Sequence, residues 1–189
     1  ALALQHQCPG ATVWAVDASA GALAVAQANA TRLNLPVRFA QGNWLANLRG
    51  LPSDETTAAE VGQRGAGHGG PCDDSGNGNN SGPSRFDLIV SNPPYIAAQD
   101  PHLAALTHEP LQALASGPDG LDDIRTIVAQ APAHLRPGGW LLLEHGHDQS
   151  KAVQTLLPAS GFTHIQSRND LAGIARCTGG QWPLVQTVK

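Results

Sequence analysis

The chain has 189 residues, which suits one α/β domain with a sizeable core. Only 14% of them are charged and the formal net charge is −4, which excludes a basic footprint for wrapping nucleic acid and weighs against DNA as a direct substrate. The three cysteines, Cys8, Cys72 and Cys177, are far apart without metal-ligand spacing, and there is neither an apolar run of about 20 residues nor a charged leader, so a cytoplasmic protein without a membrane span or signal peptide is expected.

In chain order, Ala1 to Gln7 reads as the last turns of a helix closed by Pro9 and Gly10. Thr12 to Val16 is rich in β-branched residues and leads to Asp17, as a buried parallel strand would. Ser19 is placed to cap an Ala-rich helix running to about Leu33, with Asn34 and Pro36 as stop signals. Val37 to Ala40 reads as a short strand, followed by a Gly42-Asn43-Trp44 loop. From about Pro52 to Ser84 the composition turns to Gly, Ser, Asn, Asp and Pro, and residues 52–84 are expected to be a low-complexity, disordered insertion. Its Gly65 to Gly70 stretch lacks the preceding strand and following helix of a phosphate-cradling loop, and His68 and Cys72 carry no ligand pattern.

Phe86 to Val90 is an apolar run, and Ser91-Asn92-Pro93-Pro94-Tyr95-Ile96 follows it directly. By chance an Asn-Pro-Pro-Tyr tetrad arises on the order of once per thousand chains of this length. Asp100 to Gly120 is irregular and proline-punctuated, as a substrate-facing excursion would be. Leu121 to Leu135 fits a helix with Ile124, Ile127, Val128 and Ala131 on one face and a kink at Pro132. Pro137-Gly138-Gly139 turns into a strand over Trp140 to Glu144, Gln149 to Leu157 reads as a helix, Phe162 to Ser167 as a strand and Gln181 to Val188 as the last one. Such alternation builds an open, mostly parallel sheet with helices on both faces. Glu144-His145-Gly146-His147 has no third ligand at a suitable spacing and reads as a polar strand end at the ligand edge, not a metal site.

The tetrad carries chemistry. Pro93 and Pro94 have φ fixed near −65° and push Asn92 and Pro93 out of the helical region, so the loop is stiff before a substrate arrives. Neither proline has an N–H, so the backbone offers carbonyl acceptors, and the Asn92 amide oxygen adds another. Two acceptors can grip one planar NH₂ group and encourage its nitrogen to pyramidalise toward an electrophile, for which the sulfonium methyl of S-adenosylmethionine is the natural choice. Tyr95 can lay a flat face against the planar group. Positioning of this kind contributes roughly 7–11 kcal/mol of a barrier without a strong base. The plainer reading is a proline-rich turn ending a strand.

Several ordered blocks together resemble the release-factor glutamine methyltransferases (PrmC/HemK), within the seven-stranded, Rossmann-like α/β class of S-adenosylmethionine-dependent methyltransferases. They are Ala15 to Asp17, Ala26 to Ala30, Ser91 to Ile96, Glu109 to Leu114, Pro137 to Gly139, Leu143 to Gly146 and Asp170 to Gly173. The resemblance implies that Asp17 binds the cofactor ribose, although a carboxylate there could also cap the helix after it. It implies that Trp44 lies near the adenine, where the alternative is a core tryptophan, and that Asn43, where Asp is commoner, contacts the adenine. It assigns the catalytic positions to Asn92, Pro93, Pro94 and Tyr95, with Asn92 near the cofactor methyl, and leaves Glu109 between substrate contact and loop structure. The implied reaction is methylation of the Gly-Gly-Gln glutamine of class I peptide chain release factors, with an adenine-specific DNA methyltransferase or a non-catalytic remnant as alternatives. His108 and Cys177 to Gly180 depart from the family pattern. The family's first strand and glycine loop would lie before Ala1, so residues 1–189 are expected to be a partial catalytic domain. Its sheet would fall into two parts, and by itself it would bind cofactor poorly.

Overall fold

A computed structural model of the chain describes residues 1–46, 48, 85–106 and 110–184. The insertion expected at 52–84 lies outside the described residues, as do His68, Cys72, His108 and Glu109.

After α1 (Leu2–Gln7), β1 (Trp14–Asp17), α2 (Ala20–Arg32) and β2 (Arg38–Gln41) form a strand-helix-strand unit. β1 and β2 pair in parallel, with Trp14 opposite Arg38 and Asp17 opposite Gln41. The Ser19 side chain accepts a hydrogen bond from the Ala22 N–H at 3.2 Å, the expected cap, worth about 1 kcal/mol. Asn34, just past α2, has φ +53, a left-handed conformation that Asn tolerates, and it stops the helix as its sequence suggests.

The larger sheet has the order β3-β4-β6-β5. β3 (Phe86–Ser91) runs parallel to β4 (Leu135–Glu144), whereas β6 (Ala175–Gln181) runs antiparallel to both β4 and β5 (Thr163–Asn169). The sheet is therefore mixed, and β6 is the one reversed strand in it. α3 (Asp122–His134) buries Ile124, Ile127, Val128 and Ala131, the face its spacing predicts, and Pro132 lies within it. α4 (Ser150–Ala159) buries Val153 and Leu157.

Two expectations shift. The last described strand is Ala175–Gln181, not a strand starting at Gln181, and residues 185–188 lie outside the described residues. The apolar-pattern argument failed there because Thr178, Gly179 and Gly180 are themselves buried between neighbours. A Cβ on Gly179 would come within 2.7 Å of the Leu141 carbonyl oxygen, so the close approach requires glycine. β4 begins at Leu135 and not Trp140: Phe86 pairs with Leu135 but Leu88 with Trp140, so the Pro137-Gly138-Gly139 turn is absorbed as a bulge, with Gly138 at φ +83.

No described strand bridges β1 and β3, so the six described strands form two sheets. One buried core joins them: Leu45, Ile89, Leu121, Ile127, Leu141 and Leu143 belong to it, and Val16 and Ala40 of the small sheet pack against it. On β3, Leu88 and Val90 remain 43% and 52% exposed. No helix among the described residues is long and apolar enough to cross a membrane.

Candidate active site

The sequence-predicted residues gather at one edge of the fold. Asp17 closes β1, Asn43 and Trp44 follow β2, and Asn92 follows β3, all at the carboxyl ends of parallel strands where open α/β sheets bind ligands. They fall into two groups. A shallow hollow of about 410 Å³ is lined by Ala18, Gln41, Gly42 and Asn43, and neither Trp44 nor Asn92 lines it. A larger hollow of about 550 Å³, lined by Gln27, Thr31, Pro36 and Val37 among others, sits at the opposite edge, away from this chemistry.

Asp17 serves one of its two sequence readings visibly. Its Oδ1 accepts the Ser19 N–H at 2.8 Å, which braces the start of α2. The side chain is exposed, and its Oδ2 makes no hydrogen bond to another described residue. An acceptor free for a hydroxyl pair therefore remains, which fits a ribose diol. Trp44, at φ +54, is half-buried, packs against the core and donates its indole N–H to Asp123 Oδ1 at 3.2 Å. The core reading of Trp44 thus has direct support.

The Asn92–Tyr95 loop is held on its far side. Ile96 donates its N–H to the Leu114 carbonyl at 2.9 Å, Ser116 N–H returns to the Ile96 carbonyl at 2.9 Å, and Ala98 N–H reaches Gly117 at 2.8 Å. Pro93 is buried while Asn92 is exposed, and the Asn92 amide makes no hydrogen bond to another described residue. The Arg176 guanidinium lies 5.8 Å from the centre of the Tyr95 ring, a cation–π approach that covers part of the aromatic face. A chain of hydrogen bonds ties the two groups of residues together: Trp44 to Asp123, Asp123 N–H to Ser116 Oγ at 2.8 Å, and Ser116 to Ile96.

Nearby charges stabilise the frame. The Arg125 guanidinium donates to Asp119 at 3.0 Å and to Asp122 at 2.8 Å, and the hydrogen bond from Arg125 holds the Asp119 carboxyl below its ordinary value. The same bond raises Arg125. Burial, then the neighbouring Glu144 charge, pushes the Cys177 thiol up, so it is a poor nucleophile beside the site. Both ring nitrogens of the fully buried His145 are engaged, Nε2 with Thr178 Oγ1 at 2.8 Å and Nδ1 with the Gly146 carbonyl at 2.9 Å. No group of three or more His, Cys, Asp or Glu side chains among the described residues could hold a metal ion.

Sequence reasoning missed Gln149, read only as the start of a helix. Its side chain reaches Tyr95 across 54 positions, a separation that no local pattern signals.

No family model matches the chain. Among solved structures, a methyltransferase from Pyrococcus furiosus superposes with a TM-score of 0.57 at 14% identity, covering 96% of this chain and 69% of that one. The apo S-adenosylmethionine-dependent methyltransferase SibL gives 0.54 at 14% identity, covering 96% of this chain and 46% of its own. The fold is therefore the one these methyltransferases share. Release factor glutamine methyltransferases of Xylella fastidiosa and Burkholderia pseudomallei are each 44% identical to it over 186 and 185 residues, 97% of this chain and 56% of each relative. That of Pseudomonas aeruginosa is 43% identical over 182 residues, 95% of this chain and 54% of its own. Along nearly its whole length the chain is thus similar to proteins named release factor glutamine methyltransferase, and it spans about half the length of the curated relatives it matches.

Proposed function

We propose that the protein transfers a methyl group from S-adenosylmethionine to the side-chain amide nitrogen of the Gly-Gly-Gln glutamine of class I peptide chain release factors, in the cytoplasm. The observation that carries this reading is the Asn92-Pro93-Pro94-Tyr95 loop, braced at Ile96 and Ala98, with the Asn92 amide exposed and unengaged by other described residues. The cofactor supplies an electrophilic methyl on a sulfonium. Asp17 would hold its ribose through the free oxygen, and Asn43 and Trp44 would lie along its adenine.

Asn92 and the carbonyls of the stiff proline loop accept the two N–H bonds of the target amide. They hold the nitrogen with its lone pair toward the methyl, and Tyr95 keeps the amide plane in place. No strong base is required for alignment, because orientation alone supplies a large share of the rate. Identity to proteins named release factor glutamine methyltransferase favours a glutamine amide over the exocyclic amine of adenine, and so does the acidic balance of the chain. Incubation of the complete gene product with methyl-labelled cofactor and either a class I release factor or duplex DNA tests the choice. Label is expected on the release factor, on its Gly-Gly-Gln glutamine, and label on DNA alone would overturn the reading.

A further inference from the structure

Gln149 stands immediately before α4 and is only 8% exposed. Every side-chain hydrogen bond it makes goes to backbone. Its Oε1 accepts the Gly146 N–H at 2.8 Å, and its Nε2 donates to the carbonyls of Tyr95 at 2.9 Å, Asp119 at 3.2 Å and Gly120 at 3.3 Å. Two N–H hydrogens thus serve three carbonyls, and one carboxamide joins the loop after β3, the loop before α3 and the turn after β4. Gly120, at φ +73, makes the junction possible: a Cβ there would lie 2.7 Å from Gln149 Nε2 and would run into the Tyr95 carbonyl.

The peptide plane between Tyr95 and Ile96 is consequently fixed at both ends, its carbonyl by Gln149 and its N–H by the Leu114 carbonyl at 2.9 Å. On the other side, Ser91 is paired with Leu143 in the sheet. Between these two fixed points lie Asn92 and two prolines whose φ angles are locked, which leaves little torsional freedom. We propose that Gln149 is a positioning residue for methyl transfer: by holding the Tyr95 carbonyl it sets the direction of the Asn92 amide, and it removes that carbonyl from the acceptors open to the substrate NH₂. The proposal rests on the reading of the Asn92–Tyr95 loop as the substrate-gripping site.

Two substitutions separate positioning from a structural role. Gln149→Glu keeps an oxygen for the Gly146 N–H but loses the donor to Tyr95, and Gln149→Met keeps the length and loses both kinds of bond. In each, hydrogen exchange at the Ile96 and Ala98 amides is expected to rise about tenfold while α4 and β4 keep their protection, as a local opening would. The kcat for release factor methylation should fall about ten- to a hundredfold, with cofactor affinity and KM for the release factor changing by less than about threefold. Unchanged exchange at Ile96 and Ala98 would overturn the proposal, as would a loosened loop with full kcat. A loss of cofactor affinity in step with kcat, or the collapse of both variants, would also overturn it by assigning Gln149 to the fold alone. If the unsubstituted complete gene product, in which the kinetic comparison is made, leaves the release factor unlabelled, the methylation reading falls by itself, and the exchange data still decide whether Gln149 holds the loop.

Discussion

At Asn92 the chain leaves β3 with its side chain toward solvent while the next residue, Pro93, is buried. That pairing suits an anchor with an exposed hand. Substitution Asn92→Ala should lower the methylation rate about a hundredfold or more, by analogy with the loss of one aligned hydrogen-bonding group in a preorganised site. Because the side chain is exposed, stability should change by no more than about 0.5 kcal/mol. Initial rates with a thermal melt check both, and a wild-type rate would remove the central residue of the proposed mechanism. The residue types at this site were legible in the sequence because prolines dictate geometry without help from tertiary contacts. Asp17 was legible only as a choice between helix brace and ribose ligand, and its two oxygens show why, since one braces Ser19 and the other stays open. Gln149 was not legible, because its partners are backbone carbonyls scattered over three distant loops.

Among the elements, α2 announced itself through its Ser19 cap and α3 through its periodic apolar face, which are local properties. β6 did not, because Cys177-Thr178-Gly179-Gly180 lacks the apolar residues by which a buried strand is recognised. Its residues are small because the side chains of Leu142, Ile165 and Phe162 occupy the space above them. Thr178 adds a polar reason: its hydroxyl lies between His145 Nε2 at 2.8 Å and Ser167 Oγ at 2.7 Å, a buried network that an apolar residue would leave unsatisfied. The cost of size can be measured directly. Gly179→Ala should destabilise the protein by about 1–3 kcal/mol, since the new Cβ meets the Leu141 carbonyl as well as the more yielding Leu142 side chain. Urea unfolding would show it as a lower midpoint, and an unchanged midpoint would mean that the sheet can spread at no cost.

For the molecule as a whole, the decisive feature is the break between β1 and β3. Among the described residues, the unit of β1, α2 and β2 has its own parallel ladder and reaches the larger sheet through side chains such as Val16 and Ala40. Amides of β1 and β2 should therefore exchange at least about tenfold faster than those of Leu141 to Leu143 in β4, reporting a separate opening of the smaller unit. Equal protection across both sheets, read by hydrogen exchange with mass spectrometry, would show that side-chain packing alone makes them one cooperative body.

The same break would give S-adenosylmethionine, bound as proposed, a mechanical part. Asp17 and Asn43 belong to one unit and Asn92 to the other, so a molecule gripped by all three would act as a rivet across a seam that no described strand bridges. Its binding free energy would be drawn partly into fastening the two units, making saturation and rigidity the same event.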